Sequence, residues 1–354
     1  MRPAANLELR ALVAELQPIV GSRFQKAYQA DSVLRIKLHK PGRGAVDLLI
    51  EPGVRLHITK FIEEVSAEPT QFIKSLRKAL ANAALGAIEQ HNFDRIIVFT
   101  FAKEKRFYLI AEMFAKGNLI LADQDWTILH PLHSETWKDR TIAPRAQYKF
   151  PESRGADPFG LNSGQLRALL DGKPLAACLA TKLNLGALYV EESIARAGLD
   201  PKSKADGLTD AQVGALLMAL DSIDRDGQNP APVLYKDGWA LFPLKGLGTP
   251  IKRAATISAA LDELAAAAPA PEAVQFRAKL EHQLAEQQAV VGQYEAAAAE
   301  AKVAGDAIYA QLTKVEEILR GARTMQKAGA SAAQIEAELG VKYDSKTAKI
   351  RLSL

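Results

Sequence analysis

Cysteine is nearly absent from this chain: its 354 residues include one, Cys178. A single cysteine excludes intramolecular disulfides and zinc modules that need several cysteines, and it fits a reducing compartment. The six histidines have no spacing typical of a metal site. They lie at positions 39, 57, 91, 130, 133 and 282. The sequence therefore predicts no metal.

Phosphate-binding and nucleophile motifs are also missing. The sequence contains no Gly-x-x-x-x-Gly-Lys-Ser/Thr loop and no Gly-x-Gly-x-x-Gly between a strand and a helix, so nucleotide hydrolysis and dinucleotide chemistry lack their usual phosphate cradle. The serines have no nucleophile-elbow context. We expect neither a cofactor nor a catalytic residue, because the polar features suit binding.

Long apolar runs are absent as well. No run approaches the roughly 20 apolar residues needed to span a bilayer, and the amino terminus has no apolar signal core. A soluble cytoplasmic protein without membrane contact is predicted. The net charge of +4 permits contact with nucleic acid. The length and a hydrophobic content of 48% are enough for two or three domains.

The most informative segment is 92–123, whose alternating apolar residues, such as Ile97 and Phe99, predict three consecutive β-strands. An acid-base pair, Asp94-Arg95, precedes the first strand at the rim of the sheet. The pair fits two interpretations. It is an ordinary surface ion pair, which is the common case, or it is a fixed carboxylate and guanidinium that bind a polar polymer.

Helices flank further strands in the first part of the chain. Apolar spacing predicts a helix over 7–16, with Asn6 as its cap and Glu8 in its first turn. Short alternating runs separated by turn residues follow, and they indicate an antiparallel meander. A second helix is predicted over 70–84. Its basic cluster, which includes Arg77 and Lys78, fits either a solvated helix face or a nucleic-acid contact.

Composition suggests where the domains divide. Proline, glycine and charge are concentrated in 138–160, which predicts a linker and a boundary near residue 155. We predict an α+β domain over 1–150 and a helical domain over 156–270, built from short pieces with Gly and Pro breaks. Asp237-Gly238 predicts a small β-hairpin within the helical domain.

A third region covers 271–354. From Leu280 to Leu319, heptad spacing with alternating steps of four and three predicts a long coiled-coil arm. Its seam needs a second helix, from another chain or from a missing second arm. The sequence stops on a predicted hairpin around Asp344-Ser345-Lys346, which favours a fragment of a larger protein.

Four short motifs occur in the order seen in the NFACT family. They are Asn6-Leu7-Glu8-Leu9-Arg10, Ser75-Leu76-Arg77-Lys78, Asp94-Arg95-Ile96-Ile97 and Glu112-Met113-Phe114-Ala115-Lys116-Gly117-Asn118-Leu119-Ile120-Leu121. Over essentially its whole length the chain resembles the amino-terminal part of an archaeal or bacterial member. The family includes ribosome quality control tailing factors, the nuclear export mediator factor and bacterial proteins once called fibronectin-binding protein A. The resemblance implies an NFACT-N domain with antiparallel sheets and helices.

The resemblance also implies a function. Such a factor binds the obstructed large ribosomal subunit, with its rRNA and peptidyl-tRNA, and presents tRNA for template-free C-terminal tailing of the stalled chain. The ribosome performs the chemistry, so the protein is not expected to be an enzyme. By motif match, the family's tRNA-recruiting pair falls on Asp94 and Arg95, and an acidic residue of the first helix falls on Glu8. Glu112 and Asn118 lie in another functional segment.

Further nucleic-acid contacts are predicted. Gly186 lies in a segment similar to the helix-two-turn-helix module of formamidopyrimidine-DNA glycosylases, to which NFACT-N domains look distantly related, and a glycine lets phosphate approach the backbone. Arg77, Lys78, Arg106 and Lys116 are candidates for sequence-independent phosphate contacts that weaken with salt.

Two other functions stay open: an adhesion or scaffold protein, which is the role behind the fibronectin-binding name, and a glycosylase-like enzyme that modifies nucleic acid. The absence of an export signal argues against the first. The second lacks an amino-terminal proline nucleophile, since Pro3 follows Arg2, and it lacks a cysteine zinc finger.

Overall fold

The computed structural model describes most of the chain. It covers residues 1–61, 68–137, 139–236, 238–267, 271–345, 347 and 349–352, and for 271–282 it describes the helix backbone alone. Some residues that carried sequence predictions lie outside this part: Asp237 and Lys346 in the predicted turns, Lys138 in the predicted linker, and the side chain of Leu280 in the predicted heptad seam.

The chain divides into two compact units, Met1–Ala268 and Pro269–Leu354. In the first unit, one cluster of buried hydrophobic side chains takes residues from both sides of the predicted boundary near 155, such as Leu109 and Leu216. The segments 1–150 and 156–270 therefore share a core. Their division into two domains stays a prediction.

The first 150 residues form an antiparallel sheet with helices packed against it. The elements are α1 (Asn6–Leu16), β1 (Arg23–Ala30), β2 (Val33–Lys40), β3 (Gly44–Glu51), β4 (Arg55–Thr59), α2 (Gln71–Leu80), β5 (Ala84–Gln90), β6 (Ile96–Ala102), β7 (Arg106–Glu112), β8 (Asn118–Asp123), β9 (Ile128–Pro131), β10 (Glu135–Thr136) and β11 (Thr141–Ile142). The main sheet has the strand order β4-β3-β2-β1-β5-β6-β7-β8-β9. The three strands predicted over 92–123 are confirmed as β6, β7 and β8, whereas the sequence pattern missed β5.

Both faces of β6 are buried. Ile97 and Phe99 lie in the main core, as their alternation predicts. The intervening residues of β6 belong to a second cluster, which also contains Ile142 and Tyr148. The prediction of a linker over 138–160 is therefore wrong for these two residues, because their side chains cover the second face of the sheet.

The helical part of the first unit confirms the predicted short helices. Its elements are α3 (Ser163–Leu169), α4 (Leu175–Lys182), α5 (Ala187–Ala197), α6 (Asp210–Gln228), β12 (Val233–Tyr235), β13 (Gly238–Ala240), β14 (Lys252–Arg253) and α7 (Ile257–Ala267). The predicted hairpin is confirmed by the pairing of Leu234 with Trp239, and β14 pairs with the other side of β12.

The second unit is mainly helical. It contains α8 (Pro271–Ala310), α9 (Leu312–Lys327), α10 (Ala332–Leu339), β15 (Lys342–Asp344) and β16 (Lys349–Arg351), and β15 pairs with β16 as the predicted terminal hairpin. The predicted long helix is confirmed, but it breaks at Gln311, where φ is −120° and ψ is 31°. Seam residues such as Leu284 and Tyr294 are exposed. Pairing with a second helix as a coiled coil stays a prediction.

A buried polar network joins β4 to α7. His57 Nε2 lies 2.9 Å from Asp262 Oδ1. The same carboxylate accepts hydrogen bonds from the Thr59 hydroxyl at 2.7 Å and from the backbone N–H of Lys60 at 2.9 Å. His57 Nδ1 has no partner within the described part of the chain. The network therefore holds His57 as a neutral imidazole. If the ring took up a second proton, one of its two N–H groups would have no acceptor in the described part of the chain.

Acidification is expected to destabilise the first unit through His57. Burial lowers the pKa of His57, and the hydrogen bond to Asp262 opposes that shift without cancelling it. The unfolded chain takes up this proton near pH 6.5 and the folded chain resists it to lower pH. The free energy of unfolding therefore falls as pH drops below about 6.5. Partial burial lowers the pKa of His91 as well, which adds a contribution of the same sign.

Urea unfolding of the wild type and of His57→Gln between about pH 7.5 and 5.5 measures this contribution. We expect the variant to lose most of the pH slope, which for one group is at most about 1.4 kcal/mol per pH unit. An equal slope in both proteins would assign the effect to other groups, His91 first among them.

Candidate nucleic-acid interface

A cleft of about 670 Å³ opens beside the Asp94-Arg95 pair. Its walls are the segment before α1, the turn before β6, the turn between β7 and β8, the segment after Lys149, the end of α4 and the start of α5. Lining residues that carry charge or backbone freedom are Arg2, Asp94, Arg95, Glu152, Arg154 and Gly186. The cleft therefore takes residues from both predicted domains of the first unit.

Asp94 and Arg95 do not form the ion pair expected of an ordinary surface pair. Asp94 Oδ1 accepts a hydrogen bond from the backbone N–H of Arg95 at 2.7 Å. The Arg95 guanidinium makes no hydrogen bond or ion pair with any residue that the structure describes. Both residues are half-buried at the cleft wall. The guanidinium is therefore free to donate hydrogen bonds into the cleft.

The turn that carries this pair is held by two amides. Asn6 Nδ2 donates to the carbonyl of Phe93 at 2.8 Å, and Gln90 Nε2 donates to the carbonyls of Asn6 and Asp94 at 2.9 and 3.0 Å. Phe93 has a φ of 50°, a conformation that residues other than glycine rarely adopt. The prediction that Asn6 caps α1 is wrong. Ala5 occupies the cap position, and the Asn6 amide holds the turn instead.

Arg10 fixes the same turn from the other side. Its guanidinium lies 5.1 Å from the ring centre of Phe93 and 4.5 Å from that of Phe159, distances that suit cation–π attraction. It also forms an ion pair with Asp224 on α6. The turn before β6 is thus tied to the helical part of the unit.

Glu8 lies behind the cleft and is fully buried. Its Oε1 accepts a hydrogen bond from the Tyr189 hydroxyl at 2.9 Å, and its Oε2 accepts from the backbone N–H of Ala5 at 2.8 Å. Arg2 donates to both oxygens, with Nη1 lying 2.8 Å from Oε2. Glu8 cannot accept from a ligand without losing one of these partners. These contacts place Glu8 as a support of Arg2, which lines the cleft, and a ligand role for Glu8 stays a prediction.

Glu112 and Asn118 are buried neighbours on β7 and β8. The Glu112 carboxylate accepts from Nη1 and Nη2 of Arg140 at 2.7 and 3.1 Å and from the Tyr148 hydroxyl at 2.9 Å. Burial, together with this carboxylate, raises the pKa of Tyr148 well above its usual value, so the hydroxyl stays a donor. Asn118 bonds to the backbone of His133 in both directions. Both side chains are thus committed to internal partners, and a ligand role for them stays a prediction.

The turn between β7 and β8 packs tightly against the turn between β3 and β4. Gly117 has a φ of 69°, and a Cβ on it would lie 2.2 Å from the backbone nitrogen of Gly53. A side chain therefore cannot be accommodated at Gly117. The close packing fixes Phe114 and Ala115 at the wall of the cleft, and Lys116 is exposed beside them.

The other predicted basic contacts are not gathered at the cleft. Arg77 is half-buried, and its Nε and Nη2 donate to the carbonyl of Ala27 at 3.0 and 2.7 Å. Lys78, Arg106 and Lys116 are exposed. The cleft lining includes none of these four basic side chains among the described residues.

Gly186 does line the cleft, at the start of α5. Its φ is 89°, and a Cβ would lie 3.0 Å from the Ala5 side chain. The backbone of Ala187 and Leu188 follows in the cleft wall. The first N–H groups of a helix lack intrahelical acceptors and carry partial positive charge. This wall therefore favours an anion.

Two arginines that the sequence analysis did not single out, Arg2 and Arg154, also line the cleft. Arg154 is exposed in the segment predicted as a linker, and Arg2 stands four positions before the first residue of α1. No motif or periodicity marks either of them. With Arg95 they place three guanidinium groups in a cleft whose acidic side chains are Asp94 and Glu152.

None of the described helices combines the length and the apolar composition that a membrane-spanning helix needs. Within the described residues there is also no group of three or more His, Cys, Asp or Glu side chains able to hold a metal ion.

Comparison with known proteins gives three findings at the level of sequence. The family model for NFACT N-terminal and middle domains matches residues 6–353. The archaeal Rqc2 homolog aRqcH of Methanocaldococcus jannaschii is 30% identical over 347 residues, covering 90% of this chain and 51% of that protein. Ribosome quality control complex subunit NEMF of Mus musculus is 31% identical over 211 residues, covering 57% of this chain and 20% of that protein. The chain thus spans about half the length of the archaeal relative and less of the mouse one.

Among solved structures, the fibrinogen binding protein from Staphylococcus aureus has a TM-score of 0.63 with 20% identity. The alignment covers 73% of this chain and 98% of that one. At this identity the likeness shows the fold alone.

Proposed function

This chain belongs to the NFACT family, and from that membership we propose that it is a ribosome quality control factor that binds tRNA in the cleft beside Arg95. The observation that carries the proposal is the Arg95 guanidinium, which lines this cleft without a partner in the described part of the chain. An arginine at a cleft wall without an internal partner has its planar set of hydrogen-bond donors available to a ligand.

The chemistry of the pair suits RNA. The planar guanidinium of Arg95 donates two parallel hydrogen bonds to a phosphate or to a splayed base. The Asp94 oxygen not used by the backbone accepts from a base amino group or from a ribose 2′-hydroxyl. Because a carboxylate repels phosphate, Asp94 does not add affinity for the RNA backbone. It selects ligands that donate a hydrogen bond to it, and Arg95 supplies the affinity.

The surrounding charge supports the same ligand. Arg154 adds an exposed guanidinium group to the cleft, and the start of α5 adds unpaired backbone N–H groups. The Nη groups of Arg2 already donate to Glu8 and to the carbonyls of Pro3 and Trp239, so Arg2 forms part of the cleft wall without adding a free Nη donor. Arg2 is held in place by the buried carboxylate of Glu8. A phosphate that enters beside Arg95 therefore also meets backbone donors whose positions the fold fixes, which reduces the entropy lost on binding.

In the proposed role, the protein sits on the large ribosomal subunit obstructed by peptidyl-tRNA, in contact with rRNA, in the cytoplasm. It presents a tRNA there, and the ribosome performs the template-free C-terminal tailing of the stalled chain. The protein is then not an enzyme and needs no cofactor. The 40 residues of α8 extend about 60 Å. Paired with a second helix, α8 would form a stiff arm long enough to reach a distant ribosomal surface.

Sequencing the RNA that co-purifies with the protein tests this proposal. We expect tRNA to be enriched over its share of total RNA in the wild type, and large-subunit rRNA to be present as well. Recovery of RNA in proportion to its abundance would mean general attraction of RNA by a mildly basic protein, and would count against a tRNA site.

A further inference from the structure

A second cationic surface lies on the outer side of β1 and β2. Tyr28 on β1 has three cations around its ring: Lys26 Nζ at 5.3 Å, Arg35 Cζ at 4.2 Å and Arg77 Cζ at 5.7 Å from the ring centre. The negative face of an aromatic ring attracts one cation well. Three cations around one ring also repel each other, so the cluster favours an additional anion.

The strand register adds to this repulsion. Lys26 on β1 lies directly opposite Lys37 on β2, and Tyr28 lies directly opposite Arg35. Like charges at opposed positions of an antiparallel pair destabilise the sheet. Within the described residues, neither lysine takes part in an ion pair. The pairing thus has a cost that no ion pair of either lysine offsets within the described chain.

A buried carboxylate stands next to these cations on the adjacent strand. Asp47 on β3 pairs in register with Lys37, but its Oδ1 accepts a hydrogen bond from Arg35 Nη1 at 2.8 Å. Asp47 is buried, whereas Lys26 is exposed and Lys37 half-buried. The acidic group therefore orients Arg35 and leaves the two lysines available.

Helix α2 extends the surface. Two hydrogen bonds to the carbonyl of Ala27 fix the position of Arg77, and Lys78 follows it as an exposed residue in the last turn. We define the basic face as Lys26, Tyr28, Arg35, Lys37, Arg77 and Lys78. It gathers two of the basic residues that the sequence analysis singled out and that the cleft leaves unused.

We propose that the basic face binds the phosphate backbone of double-helical RNA, as a second contact that extends the proposed function beyond the cleft. The Tyr28 ring has cations on its face, so a nucleobase cannot stack there. The remaining groups are amines, guanidiniums and one phenol, which donate to phosphate oxygens and do not read bases. Binding at this face is therefore independent of sequence and sensitive to salt.

The test compares two variants with the same change of charge. Lys26→Glu/Lys37→Glu alters the basic face, and Lys105→Glu/Lys202→Glu alters exposed lysines elsewhere in the first unit. The probe is a labelled RNA duplex of about 20 base pairs, in two unrelated sequences, titrated at several salt concentrations. We expect the face variant to bind both duplexes at least about tenfold more weakly, with a slope of log affinity against log salt that is smaller by about 2. The control variant should keep the wild-type slope.

Two further variants make the outcomes decisive. Lys26→Arg/Lys37→Arg keeps the charge and should bind like the wild type, and Arg95→Ala should keep duplex binding, which separates this face from the tRNA cleft. An equal loss in the face and control variants would overturn the proposal in favour of net charge alone. Displacement of the duplex by polyglutamate at equal charge concentration would overturn it in favour of an acidic protein partner. If the glutamate variant unfolds, Lys26→Gln/Lys37→Gln replaces it with the same expectations.

Discussion

Replacing Asp94 and Arg95 together with alanine is expected to weaken tRNA binding by at least about tenfold and to abolish tailing by the full-length protein. A charge-assisted hydrogen bond to phosphate contributes about 1.5–3 kcal/mol, which is a factor of ten or more in affinity. The melting temperature should stay nearly unchanged. The Arg95 guanidinium has no partner in the described chain to lose, and the Asp94 carboxylate bonds to the neighbouring backbone N–H.

Binding of labelled tRNA, measured beside a thermal melt of the same sample, checks both halves of this expectation. Glu104→Ala/Lys105→Ala is the matched control, because this adjacent acid-base pair is exposed before β7 and lies outside the cleft. Arg95→Lys keeps the charge but not the planar pair of donors, and should recover affinity only in part. Unchanged tRNA binding in the double variant would remove the role assigned to the pair, and a collapsed melting temperature would make the pair structural.

Replacing Glu8 with alanine is expected to lower the free energy of unfolding by about 2–4 kcal/mol. Removing one partner of a buried ion pair typically costs about 3–5 kcal/mol. We expect a smaller cost here because the Arg2 side chain is 32% exposed. Water can therefore hydrate its charge once the carboxylate has been removed. The buried Tyr189 hydroxyl also loses its acceptor, and burial already raises the pKa of Tyr189 well above its usual value, so it cannot ionise to compensate.

Urea unfolding of Glu8→Ala beside Glu89→Ala measures this cost. Glu89 is exposed on β5, and its replacement should change stability by less than about 0.5 kcal/mol. Glu8→Gln retains part of the hydrogen bonding and should fall between the two. If Glu8→Ala were as stable as the control yet lost tRNA binding, Glu8 would be a direct ligand contact, as the family resemblance implies, and the supporting role argued from its burial would be wrong.

Local pattern predicted a large part of the fold. The period of two in β6 to β8 and the helical spacing of α2 were sufficient because each pattern reflects which side of one element is buried. The heptad spacing predicted a long helix, and α8 confirms it. The pattern was silent on the break at Gln311, because small and apolar residues continue past that position without a proline or a glycine cluster to mark an end.

The candidate site shows where pattern stops being informative. The family motif marked Arg95, and the structure leaves its guanidinium without an internal partner in the described chain. The same kind of motif marked Glu8 and Glu112, and their partners Arg2, Tyr189 and Arg140 are far away in sequence or carry no motif. A motif identifies a residue, but it does not show whether that residue's charge is paired with a ligand or with another side chain of the protein.

Taken alone, the amino-acid sequence determined the secondary structure of most segments and the family, because both are encoded by residues close together in the chain. Tertiary structure alone decided which charged side chains face a cleft, that Arg2 and Arg154 join Arg95 there, and that Lys26 and Lys37 meet across two strands. Burial and charge pairing depend on contacts between distant segments, and such contacts exist only once the chain has packed.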